Sequence, residues 1–91
     1  MVIAGCSDPQ VAGDALVRDL PLVYASQITG IDFENHPPLD PPTLFIDLAP
    51  SMTSDQQLRF LCDEVMARVT ATGSSIAVTS GPYGWNDDDC R

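Results

Sequence analysis

The chain has 91 residues and a formal net charge of −9, from 13 Asp plus Glu against 4 Lys plus Arg. That length holds one domain at most, and a surface so acidic repels phosphates and anionic lipid, which excludes direct binding to nucleic acid or membrane through a basic patch. No apolar run reaches the roughly 18–20 residues of a membrane span, and an apolar fraction of 44% is too high for a disordered acidic tail.

Val2-Ile3-Ala4 reads as a short first strand ending at Gly5. Ile3-Ala4-Gly5-Cys6 also has the form of the box at which bacterial lipoproteins are cleaved and acylated. Such a leader needs a cationic stretch and about 7–15 apolar residues before the box. Only Met1 and Val2 stand there, so the strand reading is preferred. Ser7 suits a helix N-cap, with Pro9 in the first turn and Gln10 completing a capping box. Val11, Ala12, Ala15, Leu16 and Leu20 share one helical face, and Pro21 predicts the end of a helix over 8–20. Leu22, Val23, Tyr24 and Ile28 are strand formers, Thr29-Gly30 suits a two-residue turn, and Ile31-Asp32-Phe33-Glu34 alternates. These predict a hairpin.

The stretch from His36 to Pro42 has four prolines in seven residues and reads as a stiff loop. Thr43-Leu44-Phe45-Ile46-Asp47-Leu48 is the strongest strand, apolar enough to predict burial on both faces. A helix over 54–71 follows, capped by Thr53 or Ser54, with a stripe of Leu58, Leu61, Cys62, Val65, Met66 and Val69 and a terminating Gly73. Ser75 to Thr79 is the last strand, giving a βαβ unit over 43–79. The expected fold is α/β: a small sandwich with a four- or five-stranded mixed sheet and two helices, as one domain over 1–80. Residues 81–91, with Tyr83, Trp85 and Asp87-Asp88-Asp89, form an exposed acidic aromatic tail. Helices on one face leave the other face of the sheet as a partner or dimer surface.

Cys6, Cys62 and Cys90 are odd in number, widely spaced and without a C-x-x-C pair. That pattern predicts neither a disulfide scaffold nor a zinc ribbon, places Cys62 in the core, and implies a reducing, cytoplasmic setting. Asp14–Arg18, Asp55–Arg59 and Glu64–Arg68 are acid-to-base pairs at i, i+4, worth about 0.2–0.5 kcal/mol each. The other carboxylates are left to solubilise the chain or to meet a basic partner.

Several groupings invite chemistry. Asp32, Glu34 and His36 alternate along one strand face and suit a metal, but Ile31 and Phe33 facing inward already oblige their neighbours to face water, so no metal is expected. Asp8 and Asp47 lie near strand ends and could serve a small metal-dependent enzyme, yet Asp8 equally suits a helix N-terminus. His36 is the single histidine and nothing ties it to a serine, and no phosphate-binding glycine motif is present, so no catalytic residue or cofactor is assigned. Leu44-Phe45-Ile46-Asp47-Leu48 with a Ser54-Asp55 helix start resembles, over 43–79, the domain shared by anti-sigma-factor antagonists. That family has Ser followed by a small residue and Gly where this chain has Gln56-Gln57, and a longer connection before the helix, so the resemblance assigns no role to Ser54.

The preferred expectation is a non-catalytic acidic binding protein. It would inhibit a basic, nucleic-acid-handling partner such as a nuclease by occlusion, as phage anti-defence proteins do. Asp32, Glu34, Asp40, Asp87, Asp88 and Asp89 would supply charge, and Tyr83 and Trp85 would anchor. A self-associating adaptor, homodimeric through the uncovered sheet face, is the alternative.

Overall fold

A computed structural model describes residues 8–35 and 41–90. It is α/β, with helices against one face of a three-stranded mixed sheet. The predicted first strand at Val2–Ala4, Ser7 and the segment 36–40, including His36 and Asp40, lie outside the described residues. Among the described residues no helix is long and apolar enough to cross a membrane.

Helix α1 spans Pro9–Val23. Its N-cap is Asp8, whose side chain accepts from the Gln10 N–H, so Asp8 performs the capping that the sequence suggested for Ser7. The helix also runs through Pro21, where the sequence predicted a stop. Proline in the last turn removes one hydrogen bond, and the Tyr24 N–H still closes on the Leu20 carbonyl. The extra turn is held by packing: Leu20 is buried, and Tyr24 meets Phe60 edge-on with ring centroids 5.0 Å apart. The strand propensity of Leu22 and Val23 is overridden. Consequently there is no hairpin at Thr29-Gly30, and both residues lie inside β1 (Ile28–Glu34), beside a register irregularity between Ile28 and Gly30.

Strand β2 (Thr43–Leu48) is central, antiparallel to β1 and parallel to β3 (Ala77–Gly81). Between β2 and β3 runs one helical rod: α2 (Ser54–Phe60), a π-helical stretch (Leu61–Val65) and α3 (Met66–Ala71). Thr53 and Gln56 form the reciprocal capping box, and Gly73 takes the left-handed conformation beyond the end (φ 76°). The buried positions of the rod are Gln57, Phe60, Leu61, Val65 and Val69, while Leu58, Cys62 and Met66 are only half-buried. The series 57, 61, 65, 69 has a four-residue step, which on a straight α-helix turns away from the sheet by about 40° per step. The wider π turn brings the series back to the core.

The core joins Ala12, Leu16 and Leu20 of α1 and Phe60, Leu61, Val65 and Val69 of the rod to Ile28, Leu44, Ile46, Leu48 and Val78 of the sheet. Gly13 sits directly on the Phe33 ring; a Cβ there would lie 2.4 Å from it. β2 is not buried on both faces: Leu44, Ile46 and Leu48 face the core, whereas Phe45 and Asp47 are exposed. The polar residues at 43 and 47 mark that alternation, which Phe45 masks.

Residues 81–90 fold onto the body. Ser80 donates from its N–H and Oγ to the Trp85 carbonyl (2.7 and 3.1 Å), and Asn86 bridges Thr79. A 3-10 turn (Asp87–Cys90) follows, and Cys90 is disulfide-bonded to Cys62 of the π stretch. This corrects the expectation of unpaired thiols: Cys62 is half-buried at the edge of the rod, within reach of a turn that sequence spacing could not place beside it.

Candidate functional site

Strand register sets three rows of residues on the sheet face opposite the helices. Glu34, Thr43 and Ala77 form the first row, Asp32, Phe45 and Thr79 the second, and Gly30, Asp47 and Gly81 the third. Asp32, Glu34 and Asp47 are exposed, and Phe45, at the centre, keeps 39% of its surface open to solvent. Three carboxylates therefore surround one aromatic ring. The described arginines lie on the helices: Arg18 on α1, Arg59 on α2 and Arg68 on α3, over the Tyr24 ring at 5.5 Å.

Asp47 has a distinctive setting. A Cβ at Gly30 would stand 2.9 Å from its Oδ2, and one at Gly81 would stand 3.3 Å from its Oδ1. Neither glycine has a positive φ, so neither is required by backbone conformation. Their smallness leaves a slot across three strands in which the carboxylate lies open on both sides. Its two oxygens suit a planar, two-pronged donor, and Phe45, two residues earlier on the same face, offers a surface on which such a donor stacks. Among the described residues no side chain donates to this carboxylate.

Of the predicted contact residues, the fold brings Asp32 and Glu34 together on this face. Asp87, Asp88 and Asp89 lie elsewhere, in the turn beyond β3. Asp87 Oδ1 accepts from the Val78 N–H (3.4 Å), and Asp89 Oδ2 from the Asn86 N–H (2.9 Å). The first of these bonds covers part of the outer edge of β3, and the second closes the turn on itself. Trp85 is packed against the core and its Nε1–H donates to the Ser54 carbonyl (3.1 Å), while Tyr83 is 55% exposed. Asp47, Phe45 and the flanking glycines join the site without having been predicted in that role.

Two of the expected i, i+4 ion pairs, Asp14–Arg18 and Glu64–Arg68, give way to other contacts. Arg18 binds Asp19 (2.9 Å), and Asp14 accepts from Gln10 Nε2 instead. The hydrogen bond from Arg18 holds the Asp19 carboxyl below its ordinary pKa, though both side chains are exposed. Glu64 accepts from the Tyr24 hydroxyl (2.9 Å). Asp8, the proposed partner of Asp47 in a metal enzyme, is engaged as a helix cap. Among the described residues no three potential metal ligands converge.

No protein-family model matches this chain, and no curated protein or solved structure matches it.

Proposed function

We propose that this chain is a non-catalytic binding protein whose open sheet face docks a cationic partner protein, with an arginine of that partner seated on Asp47. The observation that supports it is the Asp47 slot between Gly30 and Gly81, beside exposed Phe45 and flanking carboxylates. A guanidinium satisfies both carboxylate oxygens at once and stacks on the ring; a lysine ammonium does neither as well. Where the partner's cationic surface normally holds a polyanion, covering it is inhibitory, and occlusion is the mode of action assigned. Self-association through the same face would press Asp32, Glu34 and Asp47 against their own copies, which like-charge repulsion opposes.

The test is calorimetric titration of a hexa-arginine peptide and a hexa-lysine peptide at low and high salt. The arginine peptide is expected to bind more tightly, with affinity falling as salt rises. Asp47→Asn should weaken it by roughly three- to tenfold, the scale of one well-formed charge-assisted contact at a surface. Affinity unchanged by both Asp47→Asn and Asp32→Asn would refute the docking face.

A further inference from the structure

We infer that the Cys62–Cys90 disulfide is a redox clasp: its reduction by a dithiol releases the turn Asp87–Cys90 from the helical rod and bares the outer edge of β3 at Val78, while the rest of the fold stays closed. The bond joins two segments of like charge. Cys90 follows Asp87-Asp88-Asp89, and Cys62 precedes Asp63-Glu64 in the π stretch. The bridged Cα atoms are 5.3 Å apart, and the turn packs against the stretch, so five carboxylates are brought close together. Asp63, Glu64, Asp88 and Asp89 are exposed, and neither segment contains a cation. Arg91 adds one positive charge beyond Cys90 in the sequence and leaves the balance acidic. Like charges so placed repel, and at an exposed surface salt screens that repulsion. The covalent bond holds the two segments together against it.

The hydrogen bonds around the turn divide it from what precedes it. The Asp88 N–H donates to Asn86 Oδ1, and Asp89 bonds Asn86 through both its N–H and its carboxylate, so these bonds stay within 86–89. The bond from the Val78 N–H to Asp87 reaches the body but is long, 3.4 Å. Trp85 is anchored separately: its carbonyl accepts from the Ser80 N–H at 2.7 Å, its indole N–H donates to the Ser54 carbonyl, and its ring packs on the core. The hinge therefore lies at Asn86. Opening uncovers the Val78 N–H and leaves the Ser80 N–H covered, which makes half of the β3 edge available for pairing. Asp87 also borders a groove of about 400 Å³ beside Met66, Val69 and Ile76, and its departure bares that apolar wall.

The co-reactant is a dithiol. One of its thiolates attacks a sulfur of the Cys62–Cys90 bond; that bond breaks, a mixed disulfide forms, and the departing cysteine thiolate takes a proton. The second thiol of the reductant then displaces the other cysteine, which is protonated in turn. Two electrons and two protons pass to the protein, and the dithiol becomes a disulfide. Both cysteines are partly exposed, so the attack does not require the core to open. The clasp is closed where structural disulfides persist and open where thiols are kept reduced.

The test is residue-resolved amide exchange of the full chain, oxidised and after treatment with dithiothreitol. The Val78 amide is expected to exchange roughly tenfold faster or more after reduction, while the Ser80 amide and those paired between β1 and β2 keep their protection. Cys62→Ser/Cys90→Ser should reproduce the reduced pattern without a dithiol. Asp63→Asn/Glu64→Gln removes two of the charges, so in its reduced form Val78 should exchange more slowly than in the reduced wild type. Unchanged Val78 protection, or protection lost evenly across the whole sheet, overturns the clasp. Equal exchange at Val78 in the two reduced proteins overturns the repulsion that opens it. No arginine peptide enters the measurement, so the clasp and the docking face fail separately.

Discussion

Removing the Cys62–Cys90 bond, by the double substitution Cys62→Ser/Cys90→Ser, perturbs the fold at its longest-range covalent constraint. The bond closes a loop of 28 residues. In the chain-entropy account, opening a loop of that length costs about 3.5 kcal/mol at 25 °C. For 91 residues the whole stability is of the order of 5–14 kcal/mol, so the bond supplies a large share. At about 2.1 cal/mol/K per residue the unfolding entropy is near 0.19 kcal/mol/K, and the melting temperature should fall by roughly 18 °C. Circular dichroism melts of the wild type, the double variant and the wild type with a thiol reductant measure this directly. Trp85 fluorescence reports the same event locally, because the disulfide holds residues 87–90 next to a tryptophan packed on the core. A double variant melting within about 3 °C of the oxidised wild type would refute the loop-closure reasoning.

Three further expectations concern packing and capping. Gly13→Ala places a methyl into the Phe33 ring and should destabilise by about 1–3 kcal/mol, despite alanine's better helix propensity; adding Phe33→Leu should recover much of the loss in a urea titration. Gln57 is fully buried and its Nε2 donates to the Ala49 and Met52 carbonyls, so Gln57→Leu should cost about 1–3 kcal/mol by leaving those acceptors bare, and an unchanged denaturation midpoint would contradict this. Thr53→Ala removes the hydroxyl that accepts from the Gln56 N–H, while the bond from the Thr53 N–H to the Gln56 side chain remains, and it should lower stability by about 1 kcal/mol, measurable as faster amide exchange in the first turn of α2.

The elements that sequence made legible are those where local and tertiary signals agree. The Thr53–Gln56 box, the rod over 54–71 and Gly73 beyond it are visible because capping chemistry and apolar periodicity coincide. Around Pro21 they conflict: proline and β-branched residues signal a break, while the contact of Tyr24 with Phe60, far away in sequence, favours one more helical turn. The same long-range logic hid the disulfide, since nothing local places the turn over 87–90 against the π stretch. For the site, alternation in Ile31 to Glu34 was enough to orient Asp32 and Glu34 outward. Asp47 is the harder case, because Phe45 makes its strand look buried on both sides, whereas both residues are exposed. Its significance depends on Gly30 and Gly81, and cross-strand neighbours are set by register, which no single strand's sequence displays.

The docking face is tested most directly by an amide chemical-shift map of the isotope-labelled protein during titration with the hexa-arginine peptide. Saturable shifts centred on Gly30, Asp32, Phe45, Asp47 and Gly81, absent in Asp47→Asn, are the predicted result. Shifts spread evenly over all carboxylates, or centred on Asp87 to Asp89, would show that the acidity acts without a defined face.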